Sequence, residues 1–360
     1  MSEPVMWRTR IGHASDVPAL RFHSPLAKVL TLCSVLSVLT FAAAPVHAQS
    51  TDSTATFAIE SPRAVNSLLL GVTHAGKRLV AVGDRGHILY SDDDGKTWSQ
   101  AKVPTRQMLT AVNFVDDKKG WAVGHDAQIL ATQDGGATWT QQFVDIEREE
   151  GAPFLDVMFT DENNGFVVGS YGALYATTDG GQHWEDVSDR LDNPDGYHLN
   201  AIANIKGSGL FIVGEAGSMF RSSDGGQTWE TLKGPYEGSL FGVLGTSQAN
   251  TVLAFGLRGN LYRSTDFGST WQQIALTAAS GALEFGLSGG SLLKDGSIVL
   301  VGHGGSVLKS TDDGRSFGLV NRADRLSLSA VTAGDNGNLI LVGQAGVQVA
   351  SPTGAELGQQ

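Results

Sequence analysis

The sequence predicts an all-β fold, a seven-bladed β-propeller whose last blade is closed by a strand from the N-terminal side. Three observations predict it. The stretch Val82–Trp98, VGDRGHILYSDDDGKTW, returns as VGHDAQILATQDGGATW (123–139), VGSYGALYATTDGGQHW (168–184), VGEAGSMFRSSDGGQTW (213–229), FGLRGNLYRSTDFGSTW (255–271) and VGHGGSVLKSTDDGRSF (301–317). A seventh copy, VGQAGVQVASP from Val342, stops before its turn. The leading glycines Gly83, Gly124, Gly169, Gly214, Gly256, Gly302 and Gly343 stand 41, 45, 45, 42, 46 and 41 residues apart, a period typical of propellers and solenoids. Each full repeat also divides into four apolar runs of strand length, and four short antiparallel strands make one blade.

In chain order, basic residues as late as Lys28 precede an apolar run, Val29 to Ala44, and then Pro45-Val46-His47-Ala48. This reads as a signal peptide over residues 1–48, cut before Gln49, and the protein is expected to be exported. The run is short for a membrane span, so no membrane insertion is expected after cleavage. Cys33, the only cysteine, lies inside that run, and without it neither a disulfide nor a thiolate site exists. Residues 49–55 read as a flexible polar leader, 56–351 as the propeller and 352–360 as a tail. Without residues 1–48 the chain keeps 21 basic against 35 acidic side chains, which argues against a nucleic-acid partner.

In the second repeat the four runs are LTAVNF (Leu109 to Phe114), GWAVG (Gly120 to Gly124), QILAT (Gln128 to Thr132) and WTQQFV (Trp139 to Val144). The seventh repeat supplies LSAVTA (Leu328 to Ala333), NLILVG (Asn338 to Gly343) and VQVAS, but no fourth run. A ring leaves no open edge only if something else fills that place, and Thr56 to Ile59 is the available piece. A monomer is expected.

The S-x-D-x-G-x-T-W turn has a mechanical explanation at each position. The hydroxyl and carboxylate can accept from nearby backbone N–H groups and hold the hairpin between the third and fourth strands. The following aromatic, Trp98, Trp139, Trp184, Trp229, Trp271 or Phe317, offers an apolar plate to the blade packing. The six carboxylates Asp93, Asp134, Asp179, Asp224, Asp266 and Asp312 sit one blade apart, so they are read as structural and not as a catalytic or metal ring.

These turns resemble the Asp-box (BNR) repeat of sialidases and related propellers. The longer pattern from Leu109 to Trp139, joining G-W-A-V-G to the Asp-box, is similar to the photosystem II stability and assembly factor family of plastids and cyanobacteria and its exported bacterial relatives. The similarity runs from about Phe57 to Ser351. It implies a non-catalytic propeller that binds a membrane or envelope protein complex, in the periplasm or, in a photosynthetic host, the thylakoid lumen. The alternative is a glycosidase or glycan-binding propeller of the sialidase type. That chemistry needs an arginine cluster, a tyrosine nucleophile and carboxylates around one opening. The nearest match to its arginine motif is only Ser61-Pro62-Arg63-Ala64, while Tyr90, Tyr175 and Tyr262 hold equivalent third-strand positions and read as packing residues. The histidines show no metal-ligand spacing and read as surface or loop residues; no cofactor is implied.

Comparing the repeats separates frame from variation. The glycines and the Asp turn recur, whereas the two residues inside each Gly-x-x-Gly hairpin differ: Asp84-Arg85, His125-Asp126, Ser170-Tyr171, Glu215-Ala216, Leu257-Arg258, His303-Gly304 and Gln344-Ala345. Hairpins between second and third strands emerge on one rim, with the connections between blades, and the Asp turns on the other. Arg85, His125, Asp126, Tyr171, Glu215, Arg258 and His303 are therefore the candidate partner-binding residues. The family resemblance implies an arginine-rich client patch on such hairpins, which only Arg85 and Arg258 match. Long connections, DIEREEGAP (Asp145 to Pro153) and SDRLDNPDGYH (Ser188 to His198), reach the same rim and make it acidic.

Overall fold

The computed structural model describes residues 56–278 and 281–357; the expected signal peptide and leader lie outside them. Alternating apolar runs and glycine turns fold into seven small antiparallel sheets, six of four strands and one of three, each in simple sequential order. The first strands are Leu69–Ala75, Leu109–Phe114, Phe154–Phe159, Leu199–Ile205, Leu240–Gly245, Leu287–Leu292 and Leu328–Ala333. Each touches the first strand of the next blade, and the seventh returns to the first, which closes the circle. Together they line a central channel of about 340 Å³. A short extra hairpin, Thr277–Ala278 with Gly281–Ala282, sits between blades 5 and 6.

The second strand of each blade is buried along nearly all of its length. Its sequence is correspondingly apolar on both faces, as a strand sandwiched between two neighbouring sheets must be. The core is divided among the blade interfaces. Between blades 2 and 3, for example, Val123, Ile129, Phe154 and Val167 are buried together. The interface that closes the ring, between blades 7 and 1, gathers only Ala64, Leu69, Ala81, Leu89 and Val342 as fully buried members.

Closure differs from the expectation. Residues 56–60 form no strand, and the N–H of Ala58 donates to Val103 O of blade 1 at 2.9 Å. The Gln100 amide extends that contact, donating to Ile59 O at 3.0 Å and accepting from Ser61 N at 2.9 Å. Thr56 to Ile59 therefore borders blade 1 and not blade 7. The reason is competition for the open edge. Residues 351–356 fold back on the third strand of the last blade, with Ala350 bridged to Glu356 and Ser351 N–H donating to Ala355 O at 2.8 Å. The tail expected beyond the propeller thus covers its last blade, while the turn Ala64–Asn66 packs on the other side of the seam.

Candidate functional site

The hairpins between second and third strands share one backbone construction. The N–H of Asp84, His125, Ser170, Glu215, Leu257, His303 and Gln344 each donates, at 2.9–3.1 Å, to the carbonyl just ahead of its blade's first strand. The next residue then turns left-handed: φ is 56° at Arg85, 61° at Asp126, 55° at Tyr171, 52° at Ala216 and 56° at Arg258. A side chain there carries a backbone cost that glycine would not. Gly304 takes the same turn in blade 6 (φ 65°), whereas Ala345 of blade 7 does not; in blade 2, Ala127 (φ 45°) stands where the other hairpins hold a second glycine.

This frame fixes the unlike residues outward on one rim. The Arg85 side chain is 79% exposed, with Asp84 at 3.4 Å, and Tyr171 is 56% exposed. On blades 2 to 4 the hairpins are tied to the connections between blades, and Tyr171 and Glu215 share His198. Gln107 Nε2 donates to Asp126 Oδ2 at 2.5 Å, and Arg148 Nη2 donates to Ser170 O at 2.6 Å. Tyr171 N–H donates to His198 Nδ1 at 2.8 Å, with the two rings edge-on at 5.0 Å. Glu215 Oε2 accepts from His198 N at 3.4 Å. Arg85 on blade 1, Arg258 on blade 5 and His303 on blade 6 stand apart from this arc, so the two arginines form no single patch.

Sequence reasoning missed the apolar part of the rim. Ile146, Tyr197 and Phe285 are exposed, and all three come from the connections between blades, where no repeat position marks them. The histidine expectation also needs correction. His87 is only 5% exposed and its Nδ1 lies 3.0 Å from Ser67 Oγ; His74 lies within a first strand, with Nε2 2.9 Å from Ala333 O. Burial lowers the pKa of both. Both belong to blade 1: His74 bonds across the seam to blade 7, and His87 bonds the Ser67 that leads into its own blade.

On the opposite rim the Asp turns repeat one geometry. Asp93 Oδ1 accepts from Thr97 N at 2.8 Å and Oδ2 from Thr97 Oγ1 at 2.7 Å, while Ser91 Oγ accepts from Gly95 N at 2.9 Å. Asp134, Asp224, Asp266 and Asp312 repeat the carboxylate contacts, and in blade 3 His183 takes the hydroxyl's place, Nδ1 2.6 Å from Asp179 Oδ2. These donors hold the carboxyls of Asp93, Asp179, Asp224 and Asp312 down to about 2. Trp98 and Trp139 return their indole N–H to the turn's own glycine carbonyl, at 3.1 and 3.0 Å. A groove of about 550 Å³ between blades 3 and 4 is lined by both Asp179 and Asp224, yet each carboxylate is occupied by its own loop. Among the described residues no group of three His, Cys, Asp or Glu side chains is placed to hold a metal ion.

Residues 92–154 and 150–285 match the family described as photosynthesis system II assembly factor YCF48, together more than half of the chain. The chain belongs to that family. Among solved structures, YCF48 from Cyanidioschyzon merolae is 17% identical, with a TM-score of 0.61 over 80% of this chain and 96% of that one. A YCF48 bound to D1 peptide is 19% identical, with a TM-score of 0.61 over 80% and 94%. The Niastella koreensis GH74 enzyme is 14% identical, with a TM-score of 0.59, but this chain covers only 52% of it. At these identities the structural likeness speaks to the fold. No curated protein sequence matches the chain.

Proposed function

We propose that this YCF48-family propeller is a non-catalytic binding protein, exported from the cytoplasm, that holds a protein client on its hairpin rim during assembly or maintenance of a membrane or envelope complex. In a photosynthetic host that complex is photosystem II. One observation carries the reading: the same backbone bond anchors seven hairpins, no two of which carry the same pair of residues. A rigid frame with unlike residues suits an asymmetric partner, and Tyr171, Tyr197, Leu257 and Phe285 give it the exposed aromatic and apolar anchors that protein interfaces use. The D1 peptide complex of a family member supports a peptide segment as the form of client.

The glycosidase alternative is less well supported. Hydrolysis of a glycosidic bond takes two carboxyl groups facing across the substrate. Asp156 is the sole carboxylate on the seven first strands that line the channel, and the Asp-turn carboxylates are bonded into their loops.

Site-specific photocrosslinking tests the proposal. A photoreactive side chain at Tyr171 or Leu257 is expected to trap a defined membrane-complex subunit, and one at Gln227, on the Asp-turn rim, is not. Equal capture from both rims, or capture from neither, would reject client binding by the hairpins.

A further inference from the structure

At one position the wheel breaks its own repeat. The residue that follows the bulge in each first strand, paired with the residue just before the hairpin glycine, is Gly71, Ala111, Ala201, Gly242, Gly289 or Ala330 in six blades. In blade 3 it is Asp156, paired with Val168. Small residues suit this place because neighbouring inner strands press together there: a Cβ on Gly71 would lie 3.4 Å from Ala111 Cα of the next blade.

The Asp156 carboxylate sits at the channel edge. Its Oδ1 accepts from Val157 N at 2.8 Å and its Oδ2 from Ile202 N of blade 4 at 3.0 Å. Tying one blade to the next needs no charge, because Asn113 does the same with a neutral amide, accepting from Phe159 N at 3.1 Å. Nor does the protein supply a counter-ion. The strands packed against it, Leu109–Phe114, Gly120–Gly124, Gly165–Gly169 and Leu199–Ile205, carry no ionisable residue, and His74 is the only other titratable group on the seven inner strands. The side chain is only partly exposed, at the channel edge, and desolvation by the protein packed around it pushes its carboxyl up to about 7. A buried carboxylate held without a partner charge is costly unless a cation arrives.

The channel mouth indicates which cation fits. The bulge residues just outside Asp156, on the hairpin-rim side, are Leu70, Leu155 and Phe241, with the uncharged polar Thr110, Asn200, Ser288 and Ser329 between them. A collar of three large apolar and four uncharged polar side chains over a lone carboxylate matches an aliphatic stem ending in a compact ammonium. Each carboxylate oxygen already accepts one backbone N–H, which suits a single point charge better than the two-pronged fork of a guanidinium. We infer that the hairpin-side mouth of the channel is a subsite for one lysine side chain of the bound client, its ammonium meeting Asp156 and its stem passing Leu70, Leu155 and Phe241. This rests on the client-binding reading above and names what part of the client the centre of the rim takes.

The test needs no client. Nα-acetyl-lysine amide and its norleucine counterpart, which lacks only the amine, are titrated into the isotope-labelled protein while the backbone amides of Val157 and Ile202 are followed by NMR. At pH 8 the lysine compound is expected to shift both amides saturably, at least tenfold more tightly than at pH 5.5, and the norleucine compound is expected not to. Asp156→Ala, which installs the residue found at Ala111, Ala201 and Ala330, should abolish the response in a protein that still unfolds in one cooperative transition. If that variant fails to fold, Asp156→Asn takes its place with the same expected loss. No saturable shift at pH 8, equal shifts from norleucine, or a folded variant that still responds would overturn the inference. A client captured through Tyr171 but bound equally well by Asp156→Ala would remove the channel subsite and leave client binding standing.

Discussion

Two sets of aspartates place opposite demands on pH. Asp156 has a folded pKa of about 7 against an ordinary value of 3.8. Between those values the folded chain keeps a proton that the unfolded chain has released, so stability is highest below about pH 4, falls up to pH 7 and is level beyond. The unfolding free energy from urea titration should therefore decline across that window by on the order of 4 kcal/mol; the decline should vanish in Asp156→Asn, and a slope unchanged in that variant would refute the assignment. The Asp-turn carboxyls act in the other direction: Asp93, Asp179, Asp224 and Asp312 titrate near 2 when folded. Their contribution is present above pH 4 and is lost as pH falls toward 2. Asp134→Ala, which strands Thr138 N–H and its hydroxyl, should lower Tm by roughly 3 °C, read by scanning calorimetry at pH 7. At the hairpins the conflict lies between backbone and display. Arg258 adopts φ 56°, so Arg258→Gly should raise stability by about 1 kcal/mol while removing a rim side chain; a loss of stability would show that the side chain has packing of its own.

At the scale of the element, what could be read from the sequence was what is local. The glycine hairpins and Asp turns were legible because each is set by a handful of adjacent residues with fixed backbone needs, such as Gly95 at φ 80°. The closure was not, since Thr56–Ile59 and residues 352–356 compete for edges far away in the chain and only tertiary packing decides the outcome. Asp156 was hidden for a related reason: inside FLDVMF it looks like an ordinary polar alternation, and the contrast with Gly71, Ala111 or Gly242 emerges only once the register aligns the inner strands. The exposed Ile146, Tyr197 and Phe285 belong to connections with no repeat to compare against. Of the blade interfaces, the seam of blades 7 and 1 has the smallest buried set, two alanines among its five members. Hydrogen exchange should accordingly open Leu339–Gly343 before Gly165–Gly169, whose neighbours include Phe154 and Phe159. Equal protection of both strands would mean that the Ala64–Asn66 turn and the folded-back tail fully compensate.

For the whole molecule, the wheel leaves little backbone for another chain to pair with. The outermost strands of blades 1, 3, 4 and 5 are two residues long, residues 58–61 border the first, and the last blade's edge is covered by its own tail. Short or covered edges resist edge-to-edge association, so sedimentation equilibrium at micromolar concentration should give a single species of protomer mass; a dimer would point to an apolar face and not to strand pairing. The dissimilar hairpins have one more consequence. A ring of seven equal units would offer a docked molecule seven indistinguishable headings, and any guest could sit at each of them. Here Tyr171, Arg258 and the lone Asp156 act as compass marks, so a guest that spans the hub and part of the rim can settle at only one bearing, and the wheel dictates which way it faces.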